Sequence, residues 1–115
     1  MNDLEEIKLC VREFATARDW DQFHSPKNLV MALGVEVAEL AEHFQWLTEA
    51  QSAQPDAEAL AEIAREIADV QVYLVRLADK LDIDILAAVK VKMAENALKY
   101  PADRVRGSAK KYTEY

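Results

Sequence analysis

A chain of 115 residues, 51% hydrophobic and 30% charged with a net charge of −7, is long enough for one domain that buries roughly two-thirds of the surface its unfolded form exposes. The single cysteine, Cys10, excludes an internal disulfide, and no apolar run approaches the roughly 20 residues that span a bilayer. The acidic opening MNDLEEIK lacks the basic and apolar regions of a secretory signal, so a cytoplasmic protein with no membrane partner is expected.

Only two glycines and three prolines interrupt the chain, and its apolar residues recur at helical spacing, which predicts an all-α fold. A first helix covers about 3–18, with Leu4, Ile7, Val11, Phe14 and Ala15 on one face. The loop RDWDQFHSPKN follows, where Ser25 and Pro26 make an N-cap and first-turn pair for a second helix, predicted to run from 26 to about Leu47. The polar stretch TEAQSAQPDAEA, with Pro55, is expected to be a linker. A third helix over 57–81 carries the stripe Leu60, Ile63, Ile67, Val70, Leu74, Leu77 and Leu81 and is broken by Asp82. Asp84 caps a fourth helix over 84–100, which Pro101 ends, and residues 101–115 form a tail without a sustained period.

Charge is unevenly spread along these elements. Residues 1–89 hold seven Lys or Arg against 18 Asp or Glu, whereas residues 90–115 hold seven against three. An acidic body is the reverse of a groove for nucleic acid, so no nucleic-acid partner is expected. It suits a metal with a small phosphorylated ligand, and equally a plain solvated surface.

Glu36 lies within the apolar stripe of the second helix, three residues after Leu33 and four before Leu40, and Glu39 is its neighbour one turn on. The third helix repeats the arrangement: Glu66 follows Ile63 by three, Asp69 lies one turn beyond, and Tyr73 continues the row. Two such pairs facing each other cost several kcal/mol per buried carboxylate unless a counterion joins them. A divalent cation would serve as that counterion, and Mg²⁺ prefers hard oxygen ligands; the other reading is that helices rich in Glu carry ExxE spacing by chance. A di-iron bundle is the competing metal reading, but its ExxH spacing is absent: His43 is four residues after Glu39, and the other histidine is His24.

Trp20, Phe23 and His24 cluster before the second helix and Trp46 ends it; the tryptophans read as core lids or as a π platform for a planar base, and His24 as a hydrogen-bonding residue at the helix entry. Lys92, Asn96 and Lys99 recur on one face of the fourth helix, as solvated lysines or as part of a phosphate site with Arg104, Arg106, Lys110 and Lys111.

Taken together, EVAE, EIAD and KxxxNxxKYP resemble the MazG-like all-α nucleoside triphosphate pyrophosphohydrolases. The strings RDWDQFHSPKNL, EVAELAEHFQW and RGSAKKYT resemble its dCTP pyrophosphatase branch, over about residues 14–112. The resemblance implies a four-helix bundle completed by oligomerisation, a tetramer of two dimers ahead of a plain dimer. It also implies Mg²⁺-dependent hydrolysis, with Mn²⁺ as a substitute, of a nucleoside triphosphate, dCTP or a related or modified dNTP, to the monophosphate and pyrophosphate, a house-cleaning of the nucleotide pool. It assigns Glu36, Glu39, Glu66 and Asp69 to the metal; the mechanism then follows from charge, with Glu39 and Glu66 as the catalytic pair and Glu39, as a carboxylate not fully occupied by the metal, expected to orient the attacking water as general base. It assigns Lys92, Asn96, Lys99 and Tyr100 to phosphate and sugar, and Trp20, Phe23, His24, Asn28, Trp46 and Tyr73 to the nucleoside pocket. One position departs from the pattern: where animal dCTP enzymes place a histidine near the base, this chain has Val11, which cannot make that hydrogen bond. The alternative is a non-catalytic helical oligomer that senses nucleotides, a reading that leaves the aromatics beside the acids without a purpose.

Overall fold

The computed structural model describes residues 3–109 and 113. These form helices α1 (Leu4–Ala17), α2 (Pro26–Glu42), α3 (Glu49–Ser52), α4 (Ala57–Lys80), α5 (Ile85–Lys99) and α6 (Ala102–Val105), with a 3₁₀ turn at Asp21–Phe23. No strand occurs among the described residues, and none of their helices is long and apolar enough to cross a membrane. The chain divides into two compact units, residues 1–83 and 84–115.

Local chemistry sets the helix ends. Asp3, Ser25, Thr48, Asp56 and Asp84 are N-caps in extended backbone, each accepting through its side chain from the amide three residues on. Such a bond satisfies one of the amide donors that a helix start leaves unpaired. α1 and α4 end alike: Trp20 N donates to Ala15 O at 2.9 Å, and Ile83 N donates to Ala78 O at 2.8 Å. In both, the residue just past the helix, Asp19 or Asp82, has φ 54°, the left-handed conformation that this closing motif demands and that glycine usually supplies.

Two boundaries differ from the sequence expectation. α2 ends at Glu42 rather than near Leu47, because the chain tightens into turns: His43 N donates to Leu40 O and Phe44 N to Ala41 O. Within the expected linker lies the short helix α3, started by a capping box in which Thr48 Oγ1 accepts from Gln51 N and Gln51 Oε1 accepts from Thr48 N. That box holds Thr48 in extended backbone, which α2 could not run into unbroken.

In the first unit α4 is central, with α2 and α1 packed against it. Ala15, Leu29, Ile63, Val75 and Ala78 are the buried apolar residues. Leu29 and Val75 are almost wholly enclosed, worth about 1.5–3 kcal/mol each. The predicted stripe of α4 is wider than this contact: Ile63 is buried, while Leu60 and Ile67 are more than half exposed.

Candidate functional site

The inward Glu36 and Glu39 of α2 meet Glu66 of α4, each offering a carboxylate oxygen, with all three oxygens within 4.8 Å of one another. Glu36 Oε2 and Glu66 Oε2 are buried and accept no hydrogen bond. Burial, then hydrogen bonding and charge from Glu39, then the charges of Asp69 and Glu66, push the Glu36 carboxyl above its ordinary value. Orphaned buried carboxylate oxygens are costly, and hard, charged donors at this spacing fit a divalent cation such as Mg²⁺. Beside them opens a cleft of about 660 Å³ lined by Glu39, Glu42, His43, Glu62, Arg65 and Glu66. There His43 Nδ1 lies 3.9 Å from Glu62 Oε2 and His43 Nε2 lies 3.8 Å from Glu66 Oε1.

A second cleft, of about 410 Å³, lies between α1, the turn after it and α4. Its walls are apolar and aromatic, with Ile7, Val11, Phe14, Trp20, Val72 and Tyr73, and its polar members are His24, Asp69 and Arg76. Trp20 meets Phe14 edge to face at 5.7 Å between centroids. Arg18 caps the Phe14 ring at 3.5 Å, a cation–π contact. Asp69 lines this cleft and Glu66 lines the acidic one, and they are i, i+3 neighbours on α4, so one helical turn joins the two.

An ion-pair network frames the apolar cleft. Arg76, only 3% exposed, donates from Nε to His24 Nδ1 at 3.1 Å, from Nη2 to Asp21 Oδ1 at 2.7 Å and from Nη1 to Asp79 Oδ2 at 3.2 Å. Asp79 also accepts from Arg12 of α1, and Asp21 accepts from Lys80. The hydrogen bond from Arg12 holds Asp79 below the usual carboxylate range, and the one from Lys80 does the same for Asp21. Burial, then the charge of Arg76, pushes the His24 imidazole down.

The structure gathers Glu36, Glu39 and Glu66, with Asp69 near enough for its charge to act on Glu36, and it brings Asp69 together with Trp20, His24 and Tyr73 in the second cleft. It does not place Phe23, Asn28 or Trp46 in the lining of either cleft. Asn28 Nδ2 donates to Phe23 O at 3.0 Å and so ties the 3₁₀ turn to the start of α2. Phe23 and Trp46 are 59% and 87% exposed, Trp46 because α2 stops four residues before it. Lys92, Asn96 and Lys99 lie on α5, with Tyr100 as its C-cap, in the second unit, where Lys92 pairs with Glu95 at 3.7 Å. Of the basic tail, Arg104 is on α6 and Arg106 caps it, whereas Lys110 and Lys111 lie outside the described residues. Sequence reasoning missed Arg76, Asp21 and Asp79, and of the α1 wall it placed Val11 beside the base but not Ile7 or Phe14. The available signal was the row Glu66, Asp69, Tyr73, whose next member at helical spacing is Arg76.

The MazG-like family profile matches residues 31–115. The chain belongs to the MazG-like family. Among the relatives of this MazG-like chain, "dCTP pyrophosphatase 1" of Rattus norvegicus is 47% identical over 115 residues, and that of Homo sapiens 45% over 113. Each alignment covers 96% of this chain and 66% of the relative, so the chain spans just under two thirds of their length. A crystal structure of a pyrophosphatase from Archaeoglobus fulgidus superposes with a TM-score of 0.75 at 42% identity, covering 84% of this chain and 91% of that one.

Proposed function

We propose that the protein hydrolyses a deoxynucleoside triphosphate, dCTP or a related or modified dNTP, to the monophosphate and pyrophosphate, with Mg²⁺ or, in substitution, Mn²⁺. The observation that carries this reading is the juxtaposition on α4: Glu66 belongs to a carboxylate trio with two orphaned oxygens, and Asp69 and Tyr73 belong to an aromatic-walled cleft. A base held by Trp20 and Tyr73 directs its phosphates along that turn toward the acids. The names of the rat and human relatives support the same substrate class.

Glu36, Glu39, Glu66 and Asp69 would hold the cation, Asp69 from the turn of α4 that it shares with the aromatic cleft and from which its charge already acts on Glu36. A bound divalent ion supplies positive charge against the phosphates and acidifies water. Trp20 offers a π face, where stacking on a base is worth about 1–3 kcal/mol. Val11 gives the base a wall with no hydrogen bond, so the edge facing it is selected by shape. Glu39, on the wall of the acidic cleft, orients the attacking water and takes its proton. Lys92, Asn96, Lys99 and Tyr100 keep the phosphate and sugar roles that the resemblance implies.

The active form is a homo-oligomer, a tetramer of two dimers. Val30, Met31 and Val35 of α2 and Leu60 and Ile67 of α4 are each about half exposed or more, and this much apolar surface left uncovered on two helices supports burial against further copies of the chain.

Pyrophosphate release from a panel of canonical and 5-modified dNTPs and NTPs, with Mg²⁺ and with EDTA, tests the proposal. Metal-dependent release favouring a deoxynucleotide is expected. Absence of release from every nucleotide while binding persists would reject hydrolysis and favour a sensing role.

A further inference from the structure

We propose that Arg76 is a positioning residue that locks His24 as the neutral Nε2–H tautomer, so that the apolar cleft presents one fixed hydrogen-bond donor to an acceptor atom of the ring bound there, a carbonyl oxygen or an unprotonated ring nitrogen. The inference rests on the nucleotide-binding reading of this cleft and adds to it a rule for which edge of the ring is read.

Arg76 Nε donates to His24 Nδ1 at 3.1 Å. A guanidinium has five N–H groups and no lone pair, so whatever faces it must accept. His24 Nδ1 therefore carries a lone pair, the imidazole is neutral, and its one ring proton is on Nε2. The alternative tautomer would set two N–H groups against each other beside a group that is 3% exposed. Arg76 cannot swing away at low cost, because its remaining nitrogens are held by Asp21 and Asp79, and Asp79 is itself held by Arg12 of α1. The imidazolium is disfavoured twice, by burial and by the guanidinium charge.

His24 lines the cleft beside Trp20, with 6.4 Å between ring centroids and 61° between planes. Among the described residues no group accepts a hydrogen bond from His24 Nε2. A donor of fixed identity beside a π face is the arrangement that distinguishes ring edges, because a ring turned the wrong way would leave it unpaired. Arg76 touches no substrate in this scheme; its function passes through the histidine.

Two measurements test it. A long-range ¹H–¹⁵N correlation spectrum of the labelled full chain at neutral pH reads the His24 tautomer without any turnover. Nε2 protonated and Nδ1 unprotonated is expected, and a protonated Nδ1, in either the neutral or the charged ring, overturns the proposal. The second is the affinity for a non-hydrolysable α,β-imido dCTP. His24→Ala and Arg76→Met should each weaken it about 3- to 10-fold, the range of one neutral hydrogen bond. His24→Gln, whose amide can donate from near the Nε2 position, should recover most of the loss. If Arg76→Met does not fold, Asp21→Asn replaces it, since it loosens Arg76 from the 61% exposed Asp21 side chain, and a mixture of His24 tautomers is expected. Unchanged affinity in His24→Ala overturns the proposal. A wild type that binds the analogue yet releases no pyrophosphate from any nucleotide sinks the hydrolase reading alone, and the tautomer and affinity results still decide this one.

Discussion

Replacing Glu36 by Gln should make the metal-free protein more stable and the metal-loaded protein less so. Two like charges 4.8 Å apart, the outer limit for this trio, repel by about 3 kcal/mol at an effective dielectric constant near 20. Glu36 can escape part of this by taking up a proton. At 1.36 kcal/mol per pH unit between its ordinary value of 4.5 and pH 7, the penalty it imposes is capped at about 3 kcal/mol. Gln removes the charge and can donate to a neighbouring carboxylate, so a gain of about 1–3 kcal/mol in unfolding free energy is expected at pH 7 in EDTA. The sign of the pH dependence follows from the raised value. The folded state binds a proton that the unfolded state has released, so wild-type stability in EDTA should rise as pH falls from 7 toward 4.5, and the variant should lack that component. With Mg²⁺ the order reverses: a ligand at 1,000 times its dissociation constant adds about 4.1 kcal/mol to the wild type, more than the variant gained in EDTA, and the variant forfeits most of it. Urea denaturation at pH 7 and pH 5, with EDTA and with Mg²⁺, measures all four quantities. A variant less stable than wild type in EDTA, or one stabilised by Mg²⁺ as strongly as wild type, would refute the counterion reasoning.

Glu66→Gln should abolish pyrophosphate release while its circular dichroism matches wild type, and retention of most of the activity would remove Glu66 from the metal site. Asp79→Asn should cost about 3 kcal/mol, as expected when one partner of a buried ion pair is lost, because Arg76 and Arg12 share that carboxylate; chemical denaturation reads the loss. Since the ion pairs hold Asp21 and Asp79 below their ordinary 3.8, the stability they give is full above that pH and declines as pH falls through the depressed values. The acid limb of the wild-type stability curve should accordingly flatten in Asp79→Asn. Asp82→Gly should raise stability by about 0.5–1 kcal/mol, relieving a left-handed residue at the end of α4, with a lowered melting temperature as the contrary result.

The sequence alone determined the all-α class, the start of every long helix and the pairing of acids on α2 and α4. These are local matters: Ser25, Asp56 and Asp84 cap the amides beside them, and the i, i+3 spacing of Glu36 with Glu39 and of Glu66 with Asp69 fixes each pair on one helix face whatever surrounds it. Even α3, which the polar composition of its segment hid, was written in the Thr48–Gln51 capping box. Tertiary structure decided what no spacing contains. It brought Glu66 to Glu36 and Glu39 and put Asp69 where it lines the aromatic cleft while its charge still reaches Glu36, an arrangement set by how α2 packs on α4. It placed Val11 and Phe14 of α1 in one cleft with Tyr73, and it seated Arg76 between Asp21, His24 and Asp79, residues up to 55 positions away. Trp46 marks the same divide from the other side, since its sequence position beside the acids said nothing of a helix that stops at Glu42. A helix face can be read from periodicity, but which face meets which is settled only by packing.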